Sequence, residues 1–244
     1  MSANTSPTVK SCSTPRSEFW AGVRDIAPLI IGAIPFGIIF GTLAPISGLS
    51  AGGTLAMSAF VFAGSAQFIA VGMIAVGTAW PLIVMTTFVV NLRHLLYAVS
   101  LLPYVKPLSQ RWKGGMAFWL TDEVFAVAIR RYEARDDSPF KQWYYLGAAI
   151  AMYSNWQLCT LLGITTGQLL PNAADWGLDF AMSVTFIGMV IPYLKTKPMG
   201  LAVVVAGIVA LLANPLPHKL GLIVAASAGI GAGVCSERTL SPQR

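Results

Sequence analysis

From Pro81 to Leu102 the chain is almost wholly apolar, yet its middle holds Asn91–Leu92–Arg93–His94–Leu95–Leu96–Tyr97. At ~1.5 Å per residue, a helix of that length crosses a bilayer. An arginine near the centre of such a span costs about 3 kcal/mol on insertion scales. A carboxylate partner, a water-filled cavity, or both must offset that cost. This requirement organises the reading of the whole chain.

Comparable apolar runs recur over roughly 26–44, 53–76, 115–129, 144–170, 178–194, 200–213 and 220–234. Only 11% of the 244 residues are charged and the mean hydropathy is +0.67; a soluble domain carries about 25% charged residues. The expectation is an all-α integral membrane protein, a bundle of about 6–8 transmembrane helices. One transporter-sized domain spans 19–235, between a disordered cytoplasmic tail at 1–18 and a polar C-terminal tail at 236–244. The net charge of +6 sits mostly between the runs, at Lys106, Arg111, Lys113, Arg130, Arg131, Arg135, Lys141, Lys195 and Lys197. That is the positive-inside pattern of a multi-pass protein with a cytoplasmic N-terminus, and it argues against a nucleic-acid role. Cys12, Cys159 and Cys235 lie too far apart for a metal or disulfide framework.

Two runs are interrupted. Ala63–Gly64–Ser65–Ala66–Gln67 breaks 53–76, and Thr121–Asp122–Glu123 lies within 115–129. With eight plain crossings, the basic links at 106–113 and 130–141 fall on opposite faces, although both look cytoplasmic. The conflict disappears if 53–76 and 115–129 are broken or re-entrant helices. Gly37-x-x-x-Gly41, and Gly163 with Gly167, have the spacing of close helix packing, and Pro35 is expected to kink the first run. Asn155 and Gln157 read as hydrogen-bonding glue between helices.

Arg93 and Tyr97 share one helix face, and Asn91 and His94 a neighbouring one. Adjacent on a helix, Asp122 and Glu123 point about 100° apart, so one neutralises Arg93 while the other is free to hold a proton. His94 is a second candidate for proton exchange. Small residues at Gly64 and Ser65 permit unwinding, and an exposed half-helix end beside Gln67 suits a substrate carboxylate. The substrate-binding candidates are therefore Gly64, Ser65, Gln67, Asn91 and Tyr97; the ion-pair and proton-coupling candidates are Arg93, His94, Asp122 and Glu123. The same residues also suit a clamp between helices, as in a non-transporting scaffold or regulatory subunit, or the lining of a passive channel. Enzyme signatures are lacking: there is no phosphate-binding Gly-x4-Gly-Lys-[Ser/Thr] loop, no HExxH motif and no Cys/His cluster. Pairing Asp122 with Asp179 as an intramembrane protease is disfavoured, because Asp179 opens its run near an interface.

Three segments together, Phe62–Ala63–Gly64–Ser65–Ala66–Gln67–Phe68, Asn91–Leu92–Arg93–His94–Leu95–Leu96–Tyr97–Ala98–Val99–Ser100 and Thr121–Asp122–Glu123–Val124–Phe125–Ala126, resemble the AzlC family, the large subunits of branched-chain amino-acid exporters. The resemblance runs from about Phe19 to the last apolar run. It implies export of leucine, isoleucine, valine and methionine across a bacterial inner membrane by proton antiport, with a small hydrophobic AzlD-type subunit and no cofactor.

Overall fold

In the computed structural model, residues 13–134, 136, 138–169, 191, 194, 196–216 and 220–240 are described, and among them every regular element of four or more residues is an α-helix. The helices are α1 (Pro15–Ile46), α2 (Ala51–Val61), α3 (Gly64–Ala75), α4 (Trp80–Val105), α5 (Gln110–Phe118), α6 (Asp122–Glu133), α7 (Lys141–Leu169), α8 (Lys197–Leu212) and α9 (Leu220–Leu240). By length and composition α1 and α4 can each cross a bilayer. The run expected at 178–194, with Asp179, lies outside the described residues apart from 191 and 194. The chain divides into two compact units. One holds residues up to Pro45, 49–64 and 91–168; the other holds 46–48, 65–90 and the chain from Leu169 on.

The first unit is built on α1 and α7, which lie side by side in the same direction with almost no side chain between them. A Cβ on Gly22 would fall 2.1 Å from the Tyr144 carbonyl oxygen, and one on Gly147 equally close to that of Phe19. Further along, Gly41 faces the Thr160 carbonyl at 2.2 Å and Gly163 that of Ile38 at 2.1 Å. Thr42 Oγ1 donates to the Gly163 carbonyl at 3.1 Å, adding a hydrogen bond to the seam. The spacings at Gly37/Gly41 and Gly163/Gly167 thus do what their sequence implies. Pro28, Pro35 and Pro45 all lie inside α1, which continues through them. Prolines inside a helix of this length are tolerated where neighbouring helices support it.

Both interrupted runs are broken helices. Ser50 caps α2 by accepting from the Gly53 N–H at 3.0 Å. The helix stops at Phe62, whose φ of 36° is left-handed. Its last carbonyls would be orphaned, but Gln157 Nε2 donates to Ser58 O at 3.0 Å and Tyr153 OH to Ala59 O at 3.1 Å. The hydroxyls of Ser58 and Thr160 meet at 2.9 Å. Gln157 is the glue its sequence suggests; Asn155 instead accepts from Cys159 within α7, at 3.6 Å.

The second break makes a hairpin that returns to the end it left. Near the start of α5, Trp112 packs edge-on against Trp143 at the start of α7. At its far end Trp119 reaches Tyr153, 6.3 Å between ring centres, roughly 15 Å beyond Trp143 along α7 at 1.5 Å per residue. There the chain turns: Thr121 caps α6, accepting from the Val124 N–H at 3.4 Å. From here α6 comes back beside α4 in the same direction. Tyr97 stacks on Phe125 at 4.5 Å and Tyr104 on Tyr132 at 5.7 Å. Arg131, near the end of α6, binds both carboxylate oxygens of Glu18 in the first turn of α1, with Nε to Oε2 at 3.0 Å. The segments 106–113 and 130–141 therefore meet at the same end of the unit.

Glu18 was expected in the disordered tail, yet α1 starts at Pro15 and Glu18 is only 4% exposed. The ordered part of the tail is held by this network, which Ser138 (2.8 Å to Glu18) and Asp136 extend. Burial pushes the Asp136 carboxyl up, but hydrogen bonds from Lys141 and Arg131 outweigh it and hold the group below the usual carboxylate range. At the other terminus α9 reaches Leu240, so the polar tail expected from 236 is helical in its first part.

In the second unit α8 packs on α9 by the same small-residue device. A Cβ on Gly229 would sit 2.8 Å from Ala206 Cβ, and one on Gly233 3.2 Å from Ala202 Cβ.

Gly41→Val should force α1 and α7 apart and cost about 1–3 kcal/mol or more, as overpacking does, read as a lower melting temperature in detergent. Gly32→Ala, where an added Cβ meets nothing within 4 Å, should leave melting unchanged.

Candidate functional site

The polar residues of α4 and the start of α6 form one constellation within the first unit. Arg93 Nη1 lies 2.7 Å from Asp122 Oδ2, their side chains 29% and 15% exposed. Because α6 begins at Asp122, the pair joins a continuous helix to the amino end of a half-helix. Two favourable interactions meet there: the carboxylate accepts the guanidinium, and it lies where the helix dipole favours negative charge. The cost of an arginine at that depth is offset inside the protein.

Next to Arg93 on α4, His94 Nδ1 donates to the Asn91 carbonyl at 3.1 Å, and its ring meets Tyr97 edge-on at 5.9 Å. Tyr97 stacks on Phe125, so the α4 and α6 faces are fixed by an aromatic contact beside the ion pair. Two acceptors in this cluster, Asn91 Oδ1 and Asp122 Oδ1, are buried with no hydrogen-bond partner among the described residues. Glu123, next to Asp122 in the first turn of α6, makes no ion pair among the described residues. Buried acceptors without donors are costly, and they mark a site suited to a donor from outside the chain, a proton or an ammonium group.

Of the candidates read from sequence, Asn91, Arg93, His94, Tyr97, Asp122 and Glu123 are brought together. Gly64 lies just past the break after α2, where a Cβ would press on the Trp156 indole at 3.1 Å. Its lack of a side chain lets the backbone lie against that ring. Ser65 and Gln67 open the second unit, where both are buried.

Sequence reasoning missed the aromatic residues at the breaks. Tyr153 touches Phe62 at 4.9 Å and both Phe118 and Trp119 at 6.3 Å, so one side chain gathers the ends of α2 and α5. Trp119 and Trp156 bury indole N–H donors with no acceptor among the described residues. The available signal was position: Trp119 immediately precedes the Leu120–Thr121 break.

The family described as AzlC protein matches residues 28–170. The inner membrane protein YgaZ of Escherichia coli K12 is 30% identical over 185 residues, covering 74% of this chain and 75% of YgaZ. An uncharacterized membrane protein of Archaeoglobus fulgidus is 31% identical over 214 residues, 86% of this chain and 92% of its own. The branched-chain amino acid transport protein AzlC of Bacillus subtilis is 29% identical over 188 residues, 75% of this chain and 72% of its own. No solved structure matches the chain.

A double-mutant cycle on Arg93→Gln and Asp122→Asn should show a coupling energy of about 1–3 kcal/mol in detergent unfolding. Additive effects would mean that the two charges do not stabilise each other.

Proposed function

This chain belongs to the AzlC family, and on that premise we propose that it is the large subunit of a secondary transporter that exports branched-chain amino acids from the bacterial cytoplasm by proton antiport, working with a small AzlD-type subunit. It is an all-helical integral membrane protein. The observation that carries the proposal is the Arg93–Asp122 pair at the open end of a broken helix. A charge pair of this kind is retained inside a membrane where something charged must pass.

In the proposed cycle Arg93 keeps the cavity electrically balanced while Asp122 is ionised. Asn91 and Tyr97 contact the substrate beside the pair. Glu123, without a cationic partner among the described residues, accepts and releases the coupled proton, with His94 as the alternative carrier. The substrate's ammonium would find acceptors in Asn91 Oδ1 and Asp122 Oδ1. Gly64, Ser65 and Gln67 are a second set of proposed substrate contacts, supported by the chain break at Ala63 and the burial of both polar side chains. The cytoplasmic end of the first unit is assigned to Pro15, because Lys106, Arg111, Lys113, Arg130 and Lys141 all gather there.

Proteoliposomes with the small partner should show counterflow of labelled leucine, and uphill flux only under a pH difference. Arg93→Ala and Asp122→Asn should each abolish exchange in protein that inserts normally. Full activity in either would remove that residue from the mechanism, and uphill flux without any gradient dependence would remove proton coupling.

Single cysteines at Lys106 and Arg130, in a cysteine-free background, should react with an impermeant reagent from the same face of the membrane. Opposite faces would overturn the re-entrant hairpin.

A further inference from the structure

Between α5 and α7, within the first unit, lies a cavity of about 220 Å³ lined by Arg111, Trp112, Gly115, Trp119, Tyr145 and Leu146. At ~30 Å³ per water it has room for about seven waters, enough for an amino-acid-sized ligand. Its walls are mainly aromatic. The Tyr145 hydroxyl is spent on the Met116 carbonyl at 2.6 Å, which leaves its ring as wall. Gly115 keeps the space open: a Cβ there would touch only the Trp119 ring, at an ordinary 3.7 Å, so only a larger side chain closes it.

One charged donor stands at this cavity, and no carboxylate lines it. Arg111, in the first turn of α5, is exposed and makes no ion pair among the described residues. Eight residues further, Trp119 holds a buried indole N–H with no acceptor among the described residues. Trp119 is followed within three residues by Asp122, so the deep end of the cavity adjoins the break that carries the ion pair. An apolar-walled space with a guanidinium at its rim suits a small carboxylate with an aliphatic side chain. A strongly polar or cationic side chain would find no partner in it.

We propose that this cavity is the loading subsite for the exported amino acid: Arg111 takes the carboxylate at the rim, and the aliphatic side chain lies among Trp112, Trp119 and Tyr145. The inference rests on the transport reading above and adds to it a place and a selectivity. Aromatic walls of fixed size favour leucine or methionine over alanine through buried apolar area.

The test uses the full chain, with its partner in proteoliposomes and alone in detergent, and labelled leucine and alanine as probes. Gly115→Leu, which fills the cavity, should raise the KM for leucine at least about tenfold and lower the leucine-to-alanine preference. Gly114→Leu, on the open side of α5, should change neither. Arg111→Gln should raise KM for both amino acids with kcat little changed, and Arg111→Lys should restore part of the loss. Arg111→Gln leaves the cavity unfilled and carries the test should Gly115→Leu fail to fold. Wild-type leucine exchange with unchanged KM in Gly115→Leu and Arg111→Gln overturns the subsite and leaves the transport reading standing. If the wild type exchanges no leucine, the transport reading fails. Leucine titration of Trp fluorescence in detergent then decides the cavity: saturable quenching lost in Trp119→Phe and Gly115→Leu supports it, and no quenching overturns it.

Discussion

Backbone that ends inside an apolar slab must find its hydrogen-bond partners within the protein, and the first unit is arranged around two such ends. Where α2 stops, α7 supplies Tyr153 and Gln157 to carbonyls that have no next turn. Where α6 starts, Thr121 caps the turn and Asp122 faces both the dipole and Arg93. The two solutions differ in kind. The carboxyl end is closed by neutral groups held fast on a neighbouring helix. The amino end is closed by an ion pair whose second oxygen lacks a donor among the described residues. In the proposed cycle the latter is the end that responds to a proton or a substrate charge, while the end of α2 is held fast.

Such ends can be tolerated only on a rigid support. Glycines on both α1 and α7 bring backbone against backbone at both ends of the seam, and between them Phe40 stacks on Trp156. Against this pair, α5 and α6 are short, amphipathic and held mainly by aromatic contacts and one latch, Glu18–Arg131. A stiff two-helix post carrying a hairpin of half-helices separates support from site, and the proposed proton-coupling residues, with the proposed substrate contacts Asn91 and Tyr97, lie on the hairpin or on the part of α4 that faces it.

Much of this was readable from the residues because each feature had a local cause. Gly37, Gly41, Gly163 and Gly167 declare close packing by spacing alone. The breaks near Gly64 and Thr121 show as small or cap-forming residues inside apolar runs. Arg93 demanded an acid, and Asp122 was one of two on offer in that run. What was not readable depended on tertiary geometry. Tyr153 looks like any aromatic in an apolar helix until its hydroxyl is found on the end of α2. Glu18 looked like tail because nothing in its neighbours signals Arg131, which lies more than a hundred residues away. The partition of α4 between two units likewise has no local signature, since the helix runs through Val90–Asn91 without a break.

The distribution of basic residues follows from the hairpin. If α5 and α6 formed one crossing helix, the link at 106–113 and the link at 130–141 would sit on opposite faces, and the positive-inside rule would be violated by one of them. Turning back at Leu120–Thr121 puts Arg131 against Glu18 and Trp112 against Trp143, so both links lie at the end where α1 begins. The turn that exposes the α6 amino end is thus the same turn that gathers the positive charge. A chain that satisfied the charge rule with plain crossings would have no half-helix end at depth and no place for Asp122 to meet Arg93. The charge pattern of the loops and the polar pair inside the membrane are two consequences of one reversal of the chain.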